Sequence, residues 1–380
     1  MIALACLGLT PPPPRATPPV SRRAALAGVG PALLGAGAPA LLGSPAFAAE
    51  ADDEKNIYRL PAGSQSGRTV LITGANVGLG LETAKRLAAA DATVVISARS
   101  KSKVEAAEAA VREAAPGARV LGVELDLAEL ASVRGLPARL NAIGVKAIDV
   151  LVLNAGVMAI PERLSTADGF ERTLGVNHLG HYALTAQLLP QLRRAKDGFR
   201  VVAVSSAANS FATASGMRSA IDAGLETTPY SQWGSYGLSK AANILFVKEL
   251  QRRLDENGVK GAAVALHPGV VQTELPRYLV GGVEKTDAQL SVAEMTAEKS
   301  GLEQAAMRGA AAFVWPVERG ANTQVWLAAA ADSGGVLAAD GGRYFDDMRE
   351  ASPNPLCADA DLARALWEKS AVLTGARYEF

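Results

Sequence analysis

From Thr69 onward the chain alternates two patterns of apolar and polar positions. Short apolar runs, TVLIT (Thr69–Thr73), TVVISA (Thr93–Ala98), RVLGVEL (Arg119–Leu125), DVLVLNAG (Asp149–Gly156), VVAVSS (Val201–Ser206) and AAVALHPG (Ala262–Gly269), lack the polar alternation of a half-solvated strand. They predict strands buried on both faces. Between them lie segments whose apolar residues recur at three and four positions: LETAKRLAAAD (Leu81–Asp91), KSKVEAAEAAVREAA (Lys101–Ala115), LASVRGLPARLNAI (Leu130–Ile143) and a long stretch over about Gly169–Arg194. A further such segment contains SYGLSKAANILF and runs to an Asn257-Gly258 stop signal. These predict helices. Strand–helix alternation of this kind predicts an α/β fold, a single doubly wound parallel sheet with helices on both faces. The least regular region, about Gly281–Ala312, follows the sixth strand and falls on the carboxyl edge, where ligands bind in such sheets.

Composition divides the chain. Residues 1–49 contain Arg15, Arg22 and Arg23, no acid, and a run of four prolines at Pro11–Pro14. Ser21-Arg22-Arg23 precedes the apolar run Ala24–Gly43, which ends in Ala46-Phe47-Ala48. Paired arginines, a mildly apolar region and small residues for a peptidase are the order of a twin-arginine export signal behind a transit-like leader. The segment therefore reads as an address to a plastid, with thylakoid lumen and stroma both open. Five glycines and two prolines in Ala24–Gly43 make it a poor membrane-spanning helix, so no stable transmembrane domain is expected in the mature chain. A polar linker (50–66) leads to one domain over 67–377. Setting the three leader arginines aside leaves 35 basic against 38 acidic residues, which argues against nucleic acid as a partner. Only Cys6 and Cys357 occur, one of them in the leader, so the domain has no internal disulfide and no cysteine metal site. The histidines, His178, His181 and His267, lack metal-ligand spacing and read as structural.

Candidate chemistry gathers at the ends of the strands. TGANVGLG (Thr73–Gly80) follows the first strand and opens a helix. Gly74, Gly78 and Gly80 let the backbone, with Ala75, Asn76, Val77 and Leu79, approach a pyrophosphate, while the helix N-terminus supplies N–H donors. Arg99 ends the second strand, where an acid would bind the ribose diol and a cation accommodates a 2′-phosphate, so NADP(H) is favoured over NAD(H). Tyr236 and Lys240 stand one helical turn apart on one face. A nearby ammonium favours the phenolate and lowers the pH at which the tyrosine trades its proton. Ser206 supplies a hydroxyl at the end of the fifth strand. Nucleotide cradle, hydroxyl and Tyr/Lys pair are the parts of a nicotinamide-dependent carbonyl/alcohol enzyme.

TGANVGLG, LDL (Leu125–Leu127), NAG (Asn154–Gly156), VNHLGH (Val176–His181), VSS (Val204–Ser206), YGLSK (Tyr236–Lys240) and HPGVVQTEL (His267–Leu275) together resemble the short-chain dehydrogenase/reductase family, whose fold is a Rossmann sheet. VNHLGHYALT, SKAANILFVKEL and the late ALWEKS are similar to its retinol-dehydrogenase-like branch, which includes a chloroplast import-associated member. The resemblance implies that Tyr236 is the general acid in reduction and base in oxidation. It implies that Lys240 lowers the tyrosine's pKa and binds the nicotinamide ribose, that Ser206 holds the substrate oxygen, and that Asn177 fixes a water linking Lys240 to solvent. Asp126 and Leu127 would contact the adenine, Asn154, Ala155 and Gly156 would line the cofactor, and Pro268, Gly269 and Thr273 would lie by the nicotinamide. The choice of Ser206 over Ser205 rests on matching the second serine of the motif.

Ser206 and Tyr236 are 30 residues apart, more than in compact family members. The intervening ANSFATASGMRSAIDAGLETTPYSQW, with Phe211, Tyr230 and Trp233 near its ends, is expected to form part of a substrate mouth. The expected activity is interconversion of a hydrophobic alcohol with its aldehyde or ketone. A protochlorophyllide-reductase-like enzyme and an NADP(H)-sensing regulatory subunit of a plastid complex are the competing readings. The intact Asn177, Ser206, Tyr236 and Lys240 favour the enzyme, since a sensor needs only the cradle. No resident metal is expected, and a homo-oligomer is compatible with the sequence.

Overall fold

The computed structural model describes residues 56–227, 229–271, 273–275, 278, 314–329 and 341–380. Residues 1–49, where a leader and its cleavage are expected, and the irregular stretch Gly281–Ala312 lie outside the described residues. The six sequence-derived strands form β1 (Thr69–Thr73), β2 (Thr93–Ala98), β3 (Val120–Glu124), β4 (Val150–Leu153), β5 (Phe199–Val204) and β6 (Gly261–His267). Two more complete the sheet: β7 (Tyr344–Asp346) runs parallel to β6, and β8 (Arg349–Glu350) folds back antiparallel on β7. Both are too short for an apolar pattern to reveal. The order is β3-β2-β1-β4-β5-β6-β7-β8, which reverses between β1 and β4 and opens a crevice at the carboxyl ends there.

Successive residues of each strand face opposite sides. Val70, Ile72, Val94, Val150, Val202 and Val264 pack against one helix layer, formed by α1 (Gly78–Ala89), α2 (Lys101–Ala114) and α7 (Asn322–Ala329). Leu71, Val95, Leu151, Val201 and Ala263 face the other, formed by α3 (Leu130–Ala142), α4 (Gly180–Leu192), α6 (Gln232–Glu256) and α8 (Ala360–Thr374). Burial on both faces explains the unbroken apolar runs. The insertion after β5 contributes a 3-10 turn, Ala207–Phe211, and α5 (Ala214–Asp222). Residues Asn56–Tyr58 of the linker are fastened to α7: the Asn322 amide donates to the Asn56 carbonyl and accepts from the Tyr58 N–H at 2.9 Å.

The stretch over about Gly169–Arg194 is not one helix. Gly169 has φ +88°, and Glu171 caps a single turn, Arg172–Leu174, accepting from the Thr173 and Leu174 N–H groups at 2.7 and 2.9 Å. A π turn, Gly175–Leu179, then shifts the register, with the Gly180 N–H bonding the Gly175 carbonyl, before α4 begins. Gly180 allows this close approach, since a Cβ there would lie 2.6 Å from the Leu127 carbonyl oxygen. Hydrophobic spacing cannot distinguish this broken path from a continuous helix. The glycine turn's helix likewise starts at Gly78, ahead of the apolar periodicity that begins at Leu81. Among the described residues no helix is long and apolar enough to cross a membrane.

Candidate active site

The glycine turn joins β1 to α1. Gly74 (φ +63°) and Gly78 (φ +57°) adopt the left-handed conformation that favours glycine. Gly80 is needed for space: a Cβ would lie 2.5 Å from Asn154 Nδ2 and 2.7 Å from the Gly74 carbonyl oxygen. The N-cap of α1 is Val77, 38% exposed, with no side-chain hydrogen bond and no acid in the first turn. The helix thus presents N–H donors and positive dipole without an internal anion, which fits a dinucleotide pyrophosphate. Ala75 is tied to β2 through its N–H and the Ser97 carbonyl at 3.1 Å, while Asn76 and Leu79 are half-buried on the turn. Asn154 donates from Nδ2 to the carbonyls of Thr73 at 2.8 Å and Gly74 at 3.3 Å, and Gln324 of α7 donates to its Oδ1 at 3.3 Å.

The other expected cofactor contacts follow the carboxyl ends of β2, β3, β4 and β6. Arg99 is exposed at the end of β2. Asp126 follows β3, its N–H bonded to Ser132 Oγ at 3.0 Å and its Oδ1 accepting from the Ala128 N–H at 2.8 Å. Leu127 is buried against Gly180 at the start of α4. Ala155 and Gly156 continue from β4, and a Cβ on Gly156 would lie 3.2 Å from Asn177 Oδ1 and 3.6 Å from Lys240 Nζ. Pro268 and Gly269 leave β6, the Gly269 N–H donating to His267 Nδ1 at 3.0 Å, and Thr273 faces Gly78.

Tyr236 and Lys240 are both 3% exposed in α6, and Lys240 Nζ lies 5.6 Å from the centre of the Tyr236 ring. Lys240 donates to the Val204 carbonyl at 3.0 Å, and burial lowers its pKa to about 8. The two adjacent serines part company. Ser205 is buried and its hydroxyl donates to the Lys240 carbonyl at 2.7 Å, tying β5 to α6. Ser206 is half-buried and accepts from the Ala208 N–H at 3.2 Å, which leaves its O–H able to donate. Asn177 sits inside the π turn, where its Oδ1 accepts from the Val157 N–H at 2.8 Å. Its Nδ2 donates to the Val157 carbonyl and to Ser239 Oγ, both at 2.9 Å. Its side chain therefore braces the strand β4 extension against the tyrosine helix. Met158, Ala159 and Ala208 cluster with Tyr236, with Trp233 and Leu275 packed against them; the Trp233 ring stands edge-on 6.4 Å from Tyr236 and 6.3 Å from Phe211.

Several contributors escaped sequence reasoning. Gln324 lies outside every motif. Asn209 and Asn354 hold the insertion to the C-terminal segment: the Asn354 N–H donates to Asn209 Oδ1 at 2.8 Å, and its amide donates to the Asn209 carbonyl at 3.0 Å. Ser239 bridges Asn177 to the Tyr236 carbonyl, which its hydroxyl reaches at 2.7 Å. His181, grouped with the structural histidines, bonds both Thr73 at the end of β1 and the Asn177 carbonyl of the π turn. For Gln324, Ser239 and His181 the available signal was a polar residue in an otherwise apolar core helix; Asn209 and Asn354, in a 3-10 turn and a loop, carried none.

A doubly wound sheet with a glycine turn at its switch point and a buried Tyr/Lys pair beside it defines a nicotinamide-dependent oxidoreductase. The chain belongs to the short-chain dehydrogenase family: residues 68–218 match the family described as short chain dehydrogenase, and full-length relatives agree. It is 36% identical to retinol dehydrogenase 13 of Homo sapiens over 310 residues, 81% of this chain and 85% of that one. It is 39% identical to polyprenol dehydrogenase of Mus musculus over 317 residues, 82% and 85% of the two chains. It is also 32% identical to the chloroplastic short-chain dehydrogenase TIC 32 B of Brassica napus over 307 residues, 80% and 87% of the two.

Proposed function

We propose that this protein is an NADP(H)-dependent oxidoreductase that interconverts a hydrophobic alcohol and its aldehyde or ketone. The observation that carries this reading is the buried Tyr236–Lys240 pair walled by Met158, Ala159, Ala208 and Trp233. An apolar wall beside the acid/base suits a substrate whose polar end is its carbonyl or alcohol oxygen. The names of the retinol and polyprenol dehydrogenases, which denote hydrophobic alcohols, point the same way. Arg99 beyond β2 supports NADP(H) through the 2′-phosphate, with the pyrophosphate on the glycine turn.

When bound, the nicotinamide supplies or accepts the hydride. In reduction Ser206 donates a hydrogen bond to the carbonyl oxygen, and Tyr236 gives its phenolic proton to that oxygen as negative charge develops. Lys240 stabilises the tyrosinate left behind, and the Val204 carbonyl orients its ammonium. Asn177 holds the π turn against Val157, and a water beside it would return the proton from solvent through Lys240. Oxidation runs the same groups in reverse. The test is a panel of retinoid, polyprenoid and fatty aldehydes and alcohols with NADPH/NADP and NADH/NAD, followed by absorbance at the reduced nicotinamide band. Turnover of only small polar carbonyls, or equal use of both cofactors, would refute the substrate class or the cofactor preference respectively.

The leader and the chloroplastic relative support a plastid location. Paired Arg22→Lys and Arg23→Lys substitutions separate the compartments in a plastid import assay. Entry without thylakoid crossing is the outcome expected for a lumenal protein, and unchanged stromal, protease-accessible protein identifies a stromal one.

A further inference from the structure

His181 is the second residue of α4 and only 2% exposed. Its Nδ1 lies 3.1 Å from the Asn177 carbonyl oxygen. A carbonyl only accepts, so Nδ1 carries the hydrogen and Nε2 is bare. Nε2 lies 2.9 Å from Thr73 Oγ1, whose single hydrogen also has the Val152 carbonyl within 3.3 Å; with Nε2 bare, the hydroxyl donates to the nearer imidazole nitrogen. The threonine oxygen in turn accepts from the Asn154 and Ala155 N–H groups, both at 2.9 Å. On the other side, Asn177 bonds Ser239, and Ser239 bonds the Tyr236 carbonyl. Hydrogen bonds therefore link the cofactor-lining Asn154-Ala155 through Thr73 and His181 to the Asn177 backbone, and the Asn177 side chain carries the link on through Ser239 to the tyrosine helix.

We propose that His181 is a positioning residue whose single neutral tautomer sets the cofactor strand and the proton-transfer helix at a fixed spacing. The proposal rests on the enzyme reading above. Burial, with the nearby Lys240 charge opposing the Asn177 bond, brings the imidazole pKa down to about 3, so the neutral form persists at working pH. His178 shows the contrast. It is equally buried, but its Nε2 meets Ser370 Oγ at 2.8 Å within an aromatic cluster of Tyr182 and Phe246 away from the crevice.

The two bonds can be separated by substitution. Asn places an amide N–H near Nδ1 and keeps the Asn177 bond; Gln places an amide oxygen near Nε2 and keeps the Thr73 bond; Leu keeps neither. The full chain is titrated with NADPH by calorimetry and assayed with retinal as probe substrate. His181→Leu is expected to raise the NADPH dissociation constant and lower kcat, each by about tenfold. His181→Gln restores NADPH affinity but leaves kcat low, and His181→Asn restores kcat at saturating NADPH but leaves affinity weak. Three variants that match wild type in affinity and kcat while melting earlier, or Asn and Gln variants indistinguishable from Leu, overturn the proposal. If retinal is not turned over, the difference in NADPH affinity between the Gln and Leu variants decides alone. Wild type that binds neither NADPH nor NADH overturns the enzyme reading itself, a separate outcome.

Discussion

The two sides of the crevice are built in opposite ways. The cradle side uses consecutive residues, Thr73–Gly80, whose backbone conformations do the work: left-handed φ at Gly74 and Gly78, a missing Cβ at Gly80 and an uncapped helix end at Val77. The side proposed for proton transfer draws single side chains from a π turn, the end of β5 and one face of α6, held by one side-chain pair, Asn177 to Ser239, and by bonds to the backbone carbonyls of Val204, Tyr236 and Lys240. Substitutions on the first side should therefore act through affinity and folding. Those on the second should act on turnover while binding persists.

Tyr236→Phe presses this contrast hardest. Turnover should fall about 100-fold or more while NADPH affinity stays within about twofold, because only the transferable proton is lost. A variant with near-normal kcat would remove Tyr236 from the acid/base role. Lys240 offers a test without substrate. Its folded pKa of about 8 lies below the unfolded value, so the unfolded chain holds the extra proton between about pH 8 and 10.5. Wild type should therefore gain up to about 3 kcal/mol relative to Lys240→Met as pH rises through that window, read from urea midpoints. A flat difference means Lys240 is not desolvated in the protein.

The paired serines sharpen the comparison within two residues. Ser206→Ala should lower kcat by tens of fold through loss of an oxygen clamp, whereas Ser205→Ala should mainly cost about 1 kcal/mol of stability. Reversed results would exchange their roles. On the cradle side, Gly80→Ala should destabilise by about 1–3 kcal/mol and weaken both cofactors together, since its Cβ meets Asn154 and the Gly74 carbonyl. Arg99→Ala is the smallest change: NADPH affinity should drop by about tenfold and NADH affinity should not move. Equal losses for both cofactors would detach Arg99 from the 2′-phosphate.

Sequence legibility follows the same division. The places of the glycine turn after β1, of Arg99 after β2 and of Tyr236 and Lys240 on one helix were readable because each is a local string beside a periodic element, so spacing implies geometry. The π turn was not, since Gly175–Leu179 and a regular helix share the same apolar spacing, and the close packing of Gly180 on Leu127 is a long-range fact. The short strands Tyr344–Asp346 and Arg349–Glu350 were equally hidden: they acquire meaning only by hydrogen bonding at the sheet edge. Ser205 and Ser206 are chemically identical in the string, where only the motif match favours Ser206; the Lys240 carbonyl that takes the Ser205 hydroxyl adds a physical difference between them.

By itself, then, the sequence determined the alternation of strands and helices, the doubly wound sheet and the strand ends where chemistry gathers, because burial on both faces and glycine conformations leave local marks. Tertiary structure alone decided where the long fourth helical stretch breaks, that the Ser205 hydroxyl is taken up by the Lys240 carbonyl, and how Thr73, His181, Asn177 and Ser239 join the two sides. Hydrogen bonds between residues distant in the chain depend on distance and direction in space, which no local pattern encodes.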